Sequence, residues 1–253
     1  MNRYNNTLTT VIFRVDFVDE INIEDDALDK ACINIYPVVQ NETVHEQTVT
    51  TSFNDKGEPQ VERSKKTFLN KKYSNRQLTQ YLKVSPKFIL TEVKDYTSYL
   101  DTRNIFVDVF KAIQMTNPQM VVSRIGMRYI NQIDLTPYKK TNRKNYIKTK
   151  LYESLFENIV EGSSLARTQH LTELAIEDYR VRCVTGFFNP DYPAIIKRNI
   201  VTLDFDAFIQ GNVESDEVET YLDKFHHSIQ SLYEESISAK QREQMGLIND
   251  EQK

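Results

Sequence analysis

Tryptophan is absent from these 253 residues, glycine occurs only six times and cysteine twice. The scarcity of glycine excludes a whole group of ligand sites. Loops that cradle phosphates spend several glycines within a few residues, and neither G-x-G-x-x-G nor G-x-x-x-x-G-K-[ST] occurs. Nucleotide-binding α/β folds built on such loops are not expected. Cys32 and Cys183 leave a single disulfide open, but the first 18 residues contain no apolar leader core, and a reducing cytosol is the simpler setting. No apolar run approaches the ~18 residues of a membrane span. The sequence therefore predicts a soluble, cytoplasmic protein with no membrane partner and no cofactor.

Apolar residues make up 40% of the chain, and the aromatic content comes from 14 Tyr and 13 Phe. That is enough to bury a core without a metal or disulfide staple. The net charge of −4 hides segregation. Residues 63–91 carry eight bases (Arg63, Lys65, Lys66, Lys71, Lys72, Arg76, Lys83, Lys87) and no acid. Residues 138–150 carry six (Lys139, Lys140, Arg143, Lys144, Lys148, Lys150) and no acid. The acids gather at 16–29 and 214–223, so a near-neutral total is compatible with a locally positive face.

Two-residue alternation predicts a strand over 10–18, with Val11, Phe13, Val15 and Phe17 on one face. A short helix is expected over 25–33. Residues 43–53 and 60–69 are β-rich and flank Asn54-Asp55-Lys56-Gly57-Glu58-Pro59, which is hairpin turn chemistry. Strands follow over 77–84 and 87–96. The period then changes: Leu100, Ile105, Phe106, Val109, Phe110 and Ile113 recur at helical spacing over 98–114, and Asn117-Pro118 ends the helix. A second helix is expected over 145–160, with Ile147, Leu151, Leu155, Phe156 and Ile159 inward. Residues 165–176 and 178–188 read as an antiparallel pair, and 199–209 as a further strand. A long amphipathic helix over 217–245 follows, with Ser215 or Asp216 as its N-cap and Gly246 as its terminator. The expected class is α+β, mainly antiparallel sheet with long amphipathic helices. The halves 1–136 and 137–253 echo one another as a diverged β-β-β-α duplication, packed as two domains or as one.

The most structured stretch is Arg124-Ile125-Gly126-Met127-Arg128-Tyr129-Ile130-Asn131. Ile125, Met127 and Tyr129 form one face, and Arg124, Gly126 and Arg128 the other. With the strand 11–17 and the close Thr202-Leu203-Asp204-Phe205-Asp206-Ala207-Phe208 before the last helix, this motif resembles a sporadically distributed prokaryotic family carrying R-[IL]-G-[LM]-R-Y-I-N. No activity, cofactor or catalytic residue is established for that family. Its distribution is similar to that of mobile, defence-associated genes. The layout is also similar to the sheet-plus-helix unit of SecB-like chaperones, an analogy of fold alone.

Each candidate site has two readings. Asp204 and Asp206 lie on one strand face, about 6.5–7 Å apart. They are a candidate pair for a divalent cation in a phosphodiesterase; the simpler reading pairs them with Arg124, Arg128, Arg180 or Arg182 on neighbouring strands. Arg124 and Arg128 present two-pronged donors suited to a phosphate or carboxylate, or an interstrand ladder with Asp16, Asp204 or Asp206. Asn131 is expected at the strand end, in water. No two of the four histidines have metal-ligand spacing. The adjacent His226 and His227 should differ, one partly buried and the other solvated. Lys65, Lys66, Lys71, Lys72, Lys139, Lys140, Arg143 and Lys144, interleaved with Tyr73, Tyr81, Tyr138 and Tyr146, could contact nucleic acid, or form a solvated face opposite the molecule's own acids.

These patterns predict a non-enzymatic recognition or accessory protein that binds a protein partner, in a phage-defence or toxin–antitoxin setting by the resemblance. Nucleic-acid binding through the basic segments is the second expectation, and metal-dependent phosphodiester chemistry the third. Homo-oligomerisation is left open.

Overall fold

The computed structural model describes residues 7–23, 26–54, 56–155 and 160–245. Among these residues nine antiparallel strands form one sheet: β1 (Leu8–Phe17), β2 (Val38–Phe53), β3 (Pro59–Ser74), β4 (Gln80–Ser85), β5 (Phe88–Val93), β6 (Val122–Asp134), β7 (Thr168–Ile176), β8 (Tyr179–Phe187) and β9 (Ile200–Val213). Their order is β2-β3-β4-β5-β1-β6-β9-β8-β7. Outward from the central β1–β6 pair, β5, β4 and β3 follow on one side and β9, β8 and β7 on the other. β6, from the first half of the chain, pairs directly with β9 of the second.

The period-two pattern decides which face is buried. Val11, Phe13 and Val15 of β1, Ile125 and Met127 of β6, and Val201, Leu203 and Ala207 of β9 are fully buried on one side. Two long helices cover that side, α2 (Tyr99–Thr116) and α4 (Val218–Ser236). α2 is capped by Ser98, whose side chain accepts from the Asp101 N–H. It buries Phe106, Val107, Val109, Phe110 and Ile113, with Phe106 edge-on to Phe13 at 5.7 Å. Leu100, which shares the helical spacing of these residues, is 62% exposed. α4 buries Val218, Tyr221, Leu222, Phe225 and Ile229. Phe225 is fully enclosed against Tyr179 and Tyr221. Phe225→Ala should cost about 3–5 kcal/mol, read as a fall in the urea midpoint with an unchanged slope.

The other helices are short: α1 (Asp26–Ile33), α3 (Thr149–Ser154) and α5 (Ala239–Gln244). Three sequence expectations are corrected here. The helix over 217–245 is broken at Ile237, whose extended backbone bridges to Ile147; Ser238 then caps α5 by accepting from the Gln241 N–H at 3.2 Å. Ile237 fits the helical stripe equally well, so its spacing hid the break. The proposed terminator Gly246 lies outside the described residues. Neither Ser215 nor Asp216 caps α4; they sit in a 3-10 turn, and Ser215 Oγ accepts from Gln114 Nε2 at 2.6 Å. The helix expected over 145–160 is a 3-10 turn (Lys140–Asn145) followed by the short α3, because Ile147 is drawn into the bridge to Ile237; Phe156 and Ile159 lie outside the described residues.

The hairpin is longer than its sequence signal. β2 and β3 each run 16 residues, yet only Lys71 to Ser74 of β3 pair with β4. Phe68 and Asn70 are still buried; beyond them the hairpin projects as a two-stranded arm. Its turn uses Gly57 at φ +76°, and Asn54 Oδ1 accepts from the N–H groups of Lys56 and Glu58 at 3.0 and 2.9 Å.

Candidate functional site

The side of the sheet without helices is charged. Register places Arg128, Asp206, Arg182 and Glu173 in one row across β6, β9, β8 and β7. Asp204 lies one residue pair along β9. Arg128 reaches it diagonally, with Nε donating to Oδ1 at 2.8 Å and Nη2 to Oδ2 at 2.6 Å. Both oxygens of Asp204 are thereby engaged in a forked pair. Arg182 donates to Glu173 at 3.1 Å. Asp206 lies 3.6 Å from Arg124, which also stands 3.7 Å from Asp16. Burial pushes the Asp206 carboxyl above its ordinary pKa, against the pull of Arg124, Arg128 and Arg182.

Arg124 folds back along its own strand. A Cβ at Gly126 would lie 2.7 Å from Arg124 Nη1. The space that glycine opens is thus filled by the guanidinium beside it, which also approaches the Phe208 ring to 5.4 Å. The central arginines and aspartates form an interstrand ladder. Among the described residues, no group of three or more His, Cys, Asp or Glu is arranged to hold a metal.

The basic segment 63–91 is largely matched inside the molecule. Lys66 pairs with Glu20, Lys71 with Asp29, Lys83 with Glu42 and Lys87 with Glu46, while Lys72 lies 4.5 Å over the Tyr81 ring. The interleaved aromatics are committed elsewhere. Tyr73 is buried and donates to Asp29, Tyr81 donates to Glu92, and Tyr138 stacks on the buried Tyr146. Each of these four thus has its hydroxyl or a ring face engaged within the molecule, which competes with base stacking. In the second segment, Arg143 Nε donates to the Leu135 and Tyr138 carbonyls. Lys139 and Lys144 are exposed, and the Lys140 side chain lies outside the described ones.

Asn131 is buried at 4% exposure, a correction to its expected place in water. Its Oδ1 accepts from Thr7 Oγ1 at 3.3 Å, and Thr7 in turn bonds Tyr233 at 2.6 Å. Both partners are remote in sequence. Cys32 and Cys183 are free thiols, and burial raises them to about 12 and about 11. Neither is an activated nucleophile.

Between α2, α4 and β6, His226 stacks on Tyr99 with centroids 3.8 Å apart, and its Nδ1 lies 3.0 Å from Tyr129 Oη. Tyr99 and Arg103 both donate to Asp223, and Tyr96 bonds Tyr129; His227 is exposed. Burial holds His226 below its ordinary pKa, so the folded chain binds that proton less readily than the unfolded chain. Stability should fall as pH drops below about 6.5, through the depressed folded value. His226→Gln should flatten the dependence of urea stability on pH between about 7 and 5; an unchanged slope would show that His226 is not its source.

The arm is the feature that sequence reasoning missed as a site. Every described residue from 43 to 67 is exposed except Asn54. Paired residues share a face, so Val49, Thr51, Phe53, Pro59, Val61, Arg63 and Lys65 lie together on the side continuous with the buried Tyr73. Val49 is 54% exposed, Val61 57% and Phe53 72%. Glu42, Glu46 and Glu62 all fall on the opposite face. The first face is therefore apolar and basic: among the described strand residues from Val39 to Phe53 and Pro59 to Tyr73, none on it is a carboxylate. The available signal was apolar alternation with no amphipathic segment free to cover it.

Comparison with protein-family models, with curated proteins and with solved structures finds no match for the chain. Among the described residues, no helix is long and apolar enough to cross a membrane.

Proposed function

We propose that this chain is a non-enzymatic recognition protein that holds a polypeptide partner on the β2–β3 arm. The observation that carries the reading is the arm itself. A two-stranded ribbon with both faces in water is marginally stable, yet this one displays Val49, Phe53 and Val61 toward solvent. Grouped exposed apolar side chains mark interaction surfaces. Arg63 and Lys65, on the same carboxylate-free face, fit a partner segment that is apolar and acidic. Among the described residues β2 is the sheet's end strand and also offers an unpaired backbone edge, the chemistry of strand addition.

Charge argues for a polypeptide over nucleic acid at this surface. Residues 45–67 contain four acids (Glu46, Asp55, Glu58, Glu62) and four bases (Lys56, Arg63, Lys65, Lys66). With Glu46 and Glu62 on the opposite face, the apolar face itself carries Arg63 and Lys65, and two bases gain little from the counterion release that drives nucleic-acid binding and grows with the number of phosphates neutralised.

The test is co-purification of the tagged chain from its native host during phage challenge, beside a Val49→Ser, Phe53→Ser, Val61→Ser variant. The proposal expects a stoichiometric protein with the wild type and its loss with the variant. Recovery of nucleic acid alone, released by salt, would refute it. A partner that appears only on challenge would place the protein in a defence system, the setting proposed with this function.

A further inference from the structure

The two edges of the sheet end differently. Outward from β1 come β5, β4 and β3, and then β2 lies antiparallel along β3. Outward from β6 come β9, β8 and β7, and the order stops. Among the described residues, β7 has no strand on its outer side, so its outward backbone N–H and C=O groups form an open template.

Such edges are normally guarded by lysine, proline, bulges or short length. β7 (Thr168–Ile176) is nine residues long, contains no lysine and no proline, and pairs with β8 without a register shift. Its single formal charge is Glu173, which accepts from Arg182. Leu171 stands 66% exposed on the charged, helix-free side.

We infer that β7 is a self-association edge, on which a second copy of this chain adds its own β7 antiparallel across a two-fold axis at Leu171. That register is self-complementary. Leu171 faces Leu171, so the strand's exposed leucine meets its own copy. Gln169 faces Glu173, an amide donor opposite a carboxylate. Thr168 faces Leu174, and His170 faces Thr172. Glu173 never faces itself, so no like charges oppose one another directly. Closure about a two-fold joins two nine-stranded sheets into one and leaves β2 and the arm free at each outer end. This inference is independent of the arm's role, although a dimer would present two arms to one partner.

The experiment is sedimentation equilibrium on purified full-length wild type, Leu171→Lys and Val49→Lys, together with cross-linking of Leu171→Cys and Val49→Cys by a short bismaleimide. Cys32 and Cys183, with raised thiol pKa values, are controlled for by the wild type. The expected result is a wild-type dimer whose dissociation constant rises about 100-fold or more in Leu171→Lys, where two like charges meet at the axis. Val49→Lys should stay dimeric, and Leu171→Cys alone should cross-link. Leu171 is exposed, so this lysine leaves the fold intact, and an unchanged circular dichroism spectrum would verify that. A monomeric wild type, a dimer unaffected by Leu171→Lys, or cross-linking at Val49 instead would each overturn the inference; the last would move self-association to the arm.

Discussion

Gly186→Ala should destabilise the protein by about 1–3 kcal/mol or more, among the largest losses available from adding one methyl group. The reason is a backbone collision. A Cβ at Gly186 would lie 2.1 Å from the Thr168 carbonyl oxygen and 3.0 Å from Gln169 Cα. No side chain can rotate away to relieve that contact, so β7 must shift from β8 where Gln169 pairs with Gly186. The urea midpoint should fall, and hydrogen exchange should speed up across β7 before the rest of the sheet. Leu171→Ala, on the same strand pair but exposed in the single chain, should change stability by no more than about 0.5 kcal/mol when both variants are compared at concentrations where the chain is monomeric. Equal losses for the two would show that the close approach of β7 to β8 is not what glycine serves.

The second large effect is on binding. Replacing Val49, Phe53 and Val61 together by serine removes the apolar centre of the arm's carboxylate-free face. Affinity for the captured partner should fall about 100-fold or more, as expected when a central apolar cluster is removed. Folding should hardly respond, since these side chains are 54%, 72% and 57% exposed, and surface substitutions usually stay within about 0.5 kcal/mol. Arg63→Glu with Lys65→Glu should weaken the same binding and reduce its dependence on salt, since those charges would face an acidic segment. Isothermal titration at two ionic strengths would separate the apolar contribution from the charged one.

The strands that carry the core were legible because their alternation is local. Val11, Phe13 and Val15 in β1, and Ile125 and Met127 in β6, point inward as their spacing requires. The charged ladder was legible too: pairing of Asp204 with a neighbouring-strand arginine follows from strand alternation, and Arg128 is that arginine. What was hidden depends on distant contacts. Asn131 is buried because Thr7, 124 residues away, bonds it. Ile237 leaves the helix because Ile147 bridges to it. The lysines of residues 63–91 looked like a binding surface because their carboxylate partners, such as Glu20 and Asp29, lie more than 40 residues away. The arm was hidden for the opposite reason. Val49, Phe53 and Val61 alternate as a core face would, but among the described residues no element folds back over them.

The most direct test of the account is quantitative proteomics on material captured from the native host by wild type, the arm triple-serine variant and Leu171→Lys, each verified as folded. The account predicts one protein near stoichiometric with the wild type and with Leu171→Lys, and lost from the arm variant. Equal recovery from wild type and the arm variant, or salt-released nucleic acid in place of a protein, would contradict it.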